Sequence, residues 1–100
     1  MPDSKRFTII KRDNYRVDLE YSNVVAILHL PYLEKFTRDF YEESFVVVKD
    51  LLEFVEEMGY NGLHAAVYEH DKKIQKFADR LGFKYSGKAD GFLIYHLKGE

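Results

Sequence analysis

One hundred residues with 46% hydrophobic and 16% aromatic side chains are enough for one domain, spanning 1–100, around a single modest core; they exclude a disordered chain and leave no room for a second domain. A formal net charge of -2 offers no broad attraction to nucleic acid or anionic lipid, so neither is expected as a partner. The chain has no cysteine, which excludes a disulfide framework, a thiolate metal site and a cysteine nucleophile. Met1 to Arg6 lead into no signal-peptide core, and no apolar run is long enough to span a bilayer, so a small cytoplasmic protein is expected.

Phe7-Thr8-Ile9-Ile10 is a β-branched run that predicts a first strand, and Asp13-Asn14 supplies a turn. Tyr15, Val17, Leu19 and Tyr21 alternate with Arg16, Asp18 and Glu20, the period of a strand with one buried face. After the break at Ser22-Asn23, the apolar run Val24 to Leu30, interrupted by His29, predicts a central strand covered on both faces. Pro31 cannot donate to a ladder and ends it. Tyr32 to Ser44 carries no clear period. From Ser44 onward Val47, Val48, Leu51, Val55 and Met58 share one helical face, with Gly59 as the residue past the C-cap. Asp39 and Glu42 have capping-box spacing, which would start this helix before Phe40.

Leu63 to Tyr68 predicts a second central strand, parallel to the first because a helix connects them. Asp71 is an N-cap for a helix burying Ile74, Phe77, Ala78 and Leu81, closed by Gly82. Phe83 to Ser86 and Phe92 to Leu97 are strands joined at Asp90-Gly91, a hairpin signal. The fold class is α+β: a mixed sheet with an antiparallel N-terminal meander, two main helices and a C-terminal hairpin.

The order of these elements from Val24 on, with Arg80-Leu81-Gly82-Phe83 closing the last helix and Gly59-Tyr60 closing the one before, resembles the core of the GCN5-related N-acetyltransferase (GNAT) superfamily without its N-terminal helices. In its shortness it is similar to phage-encoded GNAT-like proteins. The resemblance implies acetyl-CoA as cofactor, its acyl arm lying where the parallel strands splay, between Ile27 to Tyr32 and Leu63 to Tyr68. It implies Leu30, Tyr32, Arg38, Ser44 and Phe77 as cofactor contacts, with the pyrophosphate between Arg38 and Ser44. His29 and Tyr68 are the candidate base and acid; Tyr85 and His64 have the same chemistry, and a water could take the base's part.

Two departures stand beside the resemblance. The family's phosphate pattern places small residues where this chain has Tyr41 and Glu43, and the usual acid tyrosine is Ala78. Two functions therefore stay open. One is an N-acyltransferase acting on a small-molecule or protein amine. The other is an inactive GNAT-shaped interaction or structural protein, such as a virion component or host-defence antagonist, located in the host cytoplasm or the virion, with a protein partner or a second copy of itself.

Plainer roles compete at individual residues. His29 and His64 also suit core histidines bonded to backbone. Lys72, Lys73, Lys76 and Arg80 also suit the wet side of a helix. Tyr32, Phe36, Phe40 and Tyr41 suit either a protein-contact patch or core packing under the long helix. His70 between Glu69 and Asp71 suits a helix start rather than a metal site, and no metal ligand is assigned.

Overall fold

The computed structural model describes residues 5–13, 16–30 and 37–99. Among them lie strands β1 (Lys5–Lys11), β2 (Arg16–Tyr21) and β3 (Ala26–His29), helix α1 (Arg38–Glu57), strand β4 (Leu63–Tyr68), helix α2 (Lys72–Arg80), and strands β5 (Lys84–Ala89) and β6 (Phe92–Leu97). The strands form one mixed sheet in the order β1-β2-β3-β4-β6-β5. β1 to β3 are an antiparallel meander, β3 and β4 run parallel, and β4, β6 and β5 are antiparallel again. The α+β class, the meander, the parallel central pair and the C-terminal hairpin thus agree with the sequence.

Both helices pack on one face of this sheet. Leu19, Leu28, Ala65 and Tyr95 lie in register across it and are buried together with Val48 and Val55 of α1 and Ile74, Phe77 and Ala78 of α2. Leu28, Leu63, Val67, Ile74 and Phe83 are the largest fully enclosed side chains, each stabilising the fold by roughly 1.5–3 kcal/mol. No helix among the described residues is long and apolar enough to cross a membrane.

Both helices end in the same motif. Gly59 at φ 98 and Gly82 at φ 100 occupy the left-handed position past the C-cap. Tyr60 N donates to Val55 O and Phe83 N to Ala78 O, the long-range bond of a Schellman ending. Asp90 and Gly91, both at positive φ, make the tight turn of the hairpin.

Several boundaries differ from expectation. The central strand begins at Ala26, not Val24, because Ser22 N bonds to Val25 O in a turn that leaves Val24 76% exposed. Nor is it covered on both faces: Ala26 and Leu28 are buried, whereas Ile27 and His29 on the other face are half-buried. α1 starts at Arg38, two turns before the apolar stripe, and its cap is Thr37, whose Oγ1 accepts from Phe40 N; Asp39 is inside the helix and caps nothing. Met58, expected on the buried face, is the C-cap of α1 and is 65% exposed, at the edge of a hollow it shares with Phe7, Tyr21 and Phe54. The last hairpin is longer than predicted, its first strand continuing to Ala89 through an irregularity between Tyr85 and Gly87. Tyr15, Pro31, Tyr32 and Phe36 lie outside the described residues.

Candidate functional site

The face of the sheet opposite the two helices carries the polar chemistry. Register aligns Thr8, Asp18, His29, Ala66 and Ile94 in one row across it, and Arg6, Glu20, Ile27, His64 and His96 in the next. The parallel ladder between β3 and β4 stops at His29 and Ala66, while β4 continues for two residues. At that end lies a cleft of about 400 Å³ lined by Arg6, Arg16, Asp18, His29, Leu30, Ala66, Tyr68 and Phe92.

His29 is bonded to a side chain rather than to backbone. Its Nε2 lies 2.8 Å from Glu20 Oε1 across the β2–β3 ladder, both side chains being about three-quarters buried. A carboxylate at Nε2 fixes the proton there and leaves Nδ1 as the acceptor. Tyr68, at the free end of β4, is 54% exposed and rests on Phe92 with ring centroids 5.1 Å apart.

Asp18 organises the other wall. Burial would raise its carboxyl pKa, but the hydrogen bonds from Thr8 and Arg6 and the charges of Arg16 and Arg6 outweigh burial and hold it below its ordinary 3.8. Thr8 Oγ1 donates to Oδ1 at 2.8 Å, Arg6 Nε donates to Oδ2 at 3.0 Å, and Arg16 Nε stands 3.3 Å from Oδ1.

One row below His29, the rings of His64 and His96 stack with centroids 4.5 Å apart, and His96 Nε2 lies 2.7 Å from Asn61 O. Burial, and then the charge of His96, push His64 below its ordinary 6.5. A depressed folded-state pKa means that the unfolded chain takes up the proton first, so the contribution of neutral His64 is whole above pH 6.5 and is lost as pH falls through the folded value. The melting temperature is therefore expected to fall as pH drops from 7 toward 5. His64→Phe, which keeps the stacked ring without its proton, is expected to flatten that slope; an unchanged slope would place the titration elsewhere.

The other expected site residues fall in two groups. His29, Leu30 and Tyr68 line one cleft. Arg38, Ser44 and Phe77 do not, because they belong to the helical side. Arg38 is exposed at the start of α1 with its Nε 3.0 Å from Glu42 Oε1. Ser44 is buried in α1. Phe77 is buried too, stacked on Phe40 at 5.0 Å and edge-on to Tyr41 at 6.0 Å, while Tyr41 Oη donates to Arg80 O. Phe40 and Tyr41 thus pack between the helices instead of forming an exposed patch. Lys72, Lys73, Lys76 and Arg80 are exposed along α2.

The segment expected to cradle a pyrophosphate is helical. Its first turn is furnished by the protein itself: Thr37 occupies Phe40 N, Tyr41 N bonds Thr37 O, Glu42 holds Arg38, and Asp39 adds a negative charge. Arg12 reaches Glu43 at 2.5 Å. An external dianion would displace or oppose these groups.

Sequence reasoning missed Arg6, Arg16, Asp18, Glu20 and Phe92. The signal was present in the alternation of Arg16, Asp18 and Glu20, which puts all three on one face of β2, the face that His29 shares. No protein-family model matches the chain, and no characterised protein matches it in sequence.

Proposed function

We propose that the chain is a short GNAT-like protein acting as an N-acyltransferase, carrying an acetyl group from acetyl-CoA to an amine in the cytoplasm. The observation that supports this reading best is the cleft at the end of the parallel β3–β4 ladder, with His29, Leu30 and Tyr68 along its wall. The edge of β4 beyond Ala66 has no β3 partner among the described residues, so its backbone groups suit an extended acyl arm. The start of α1 does not suit a pyrophosphate, and no contact to one is assigned there.

When bound, acetyl-CoA supplies the activated acyl carbon and the thiol that leaves. Glu20 holds the ring of His29, whose Nδ1 would accept the proton that the acceptor amine gives up. Tyr68 Oη would supply the proton that the departing thiolate takes up. Leu30 and Phe92 supply apolar lining to the cleft.

A second reading, a GNAT-shaped interaction or structural protein without catalysis, is favoured by two observations. One is the neutralised start of α1. The other is an apolar hollow between Phe7, Tyr21, Phe54 and Met58, in which Phe7 is 48% and Phe54 58% exposed, a surface suited to a protein partner. Release of thiol from acetyl-CoA, with glycine and with ethanolamine as acceptors, separates the two. Turnover above the buffer rate supports the transferase; none with either amine, at saturating acetyl-CoA, supports the non-catalytic protein.

A further inference from the structure

We propose that Arg6 and Arg16 form a carboxylate clamp in the cleft, so that the acceptor is a small amine bearing a single carboxylate. The amine half of this assignment rests on the acyl-transfer reading; the carboxylate half rests on the two arginines alone.

Asp18 is the anchor. Its side chain is 8% exposed, whereas those of Arg6 and Arg16 are 52% and 62% exposed. Both arginines meet the carboxylate through Nε. Their terminal nitrogens, the pair that forms a two-pronged bond to an anion, have no partner among the described residues. The Arg6 guanidinium, already hydrogen-bonded at Nε, loses little further freedom when a ligand arrives, and Arg16 is held beside it by its 3.3 Å ion pair. The acid is buried while both arginines are half-exposed, and all three residues line the cleft.

Charge selects the ligand. Arg6, Arg16 and Lys11, which opposes Arg16 across the β1–β2 ladder, face Asp18 and Glu20 on the same side of the sheet. Among these described residues one positive charge is left in excess, which suits one carboxylate, while a phosphate dianion would meet Asp18 and Glu20 with a second negative charge. On the other wall Nδ1 of His29 is the proton acceptor, and Phe92 with Ala66 provides an apolar floor for a short carbon chain.

The test uses the wild-type chain without acetyl-CoA. Glycine, β-alanine and γ-aminobutyrate are titrated against ethanolamine and inorganic phosphate, following the arginine Nε–H signals by NMR. The carboxylated amines are expected to shift the Arg6 and Arg16 signals saturably, with ethanolamine inert and phosphate weaker. Arg16→Gln and Arg6→Gln are each expected to weaken binding about ten- to a hundredfold, the worth of a charged hydrogen bond. Arg16→Lys is expected to restore only part of it. Equal binding of ethanolamine, tighter binding of phosphate, or an unchanged affinity in folded Arg16→Gln would overturn the clamp. Carboxylate binding without acetyl transfer would remove the transferase reading and leave the clamp standing; transfer to ethanolamine as fast as to glycine would do the reverse.

Discussion

Phe77→Ala is expected to lower stability by about 3–5 kcal/mol, the range for deleting an enclosed aromatic ring. The ring is 4% exposed and is held from two sides, by Phe40 at 5.0 Å and by Tyr41 at 6.0 Å. These contacts join α1 to α2, so the cavity would open at the seam between the only two helices among the described residues. For a domain of this size the total is about 5–15 kcal/mol, so the variant would sit close to unfolding. Urea unfolding is expected to show a large drop in midpoint with an unchanged slope, and Phe77→Leu is expected to recover most of it. A loss below about 1 kcal/mol, outside the range for such a cavity, would mean that the ring is not packed as described and would return Phe77 to the candidates for cofactor contact.

His29→Asn is expected to lower the rate of acetyl transfer by about 10²–10⁴-fold while leaving the fold intact, which is the usual worth of a positioned general base. The asparagine ends at the level of Nδ1 and gives up the bond to Glu20 Oε1, so a modest loss of stability is expected with the fold kept, and it cannot accept a proton at neutral pH. Glu20→Gln acts through His29: it is expected to cost less and to alter the pH dependence of the rate, because it removes the carboxylate that holds the ring. Thiol release is a clean measure here because the protein has no cysteine of its own. Activity of His29→Asn within about twofold of wild type, far short of the loss of a base, would remove His29 from the chemistry.

Much of the fold was legible because its signals are local. Gly59 and Gly82 each follow an apolar helical stripe, and both turned out to be left-handed caps closed by a bond from the next aromatic residue. Asp71 and Asp90-Gly91 acted as their chemistry predicts, the first accepting from Ile74 N, the second turning the hairpin. The start of α1 was less legible. Thr37 precedes a turn rich in charge, and Arg38, Asp39, Glu42 and Glu43 disguise its helical period, since there only Phe40 and Ser44 are buried and Tyr41 packs partly against the core.

The site was half legible for a related reason. His29 interrupts an apolar strand and Tyr68 ends one, so each is conspicuous alone. Asp18 and Glu20 alternate with buried residues and look like the solvated face of β2. Their role depends on register: only the pairings Asp18 with His29 and Glu20 with Ile27 bring them beside the histidine and beneath the arginines. Pairings between distant segments are set by packing of the whole sheet, which no short window of sequence contains.

The most direct measurement is a titration of the wild-type protein with acetyl-CoA, followed by backbone amide NMR. Saturable binding is predicted, with the largest shifts at His29 and Leu30 and at Ala66, Val67 and Tyr68, where the parallel ladder ends. No binding at millimolar acetyl-CoA, or binding that leaves those amides unmoved, would contradict the assignment of the β3–β4 cleft to an acyl group.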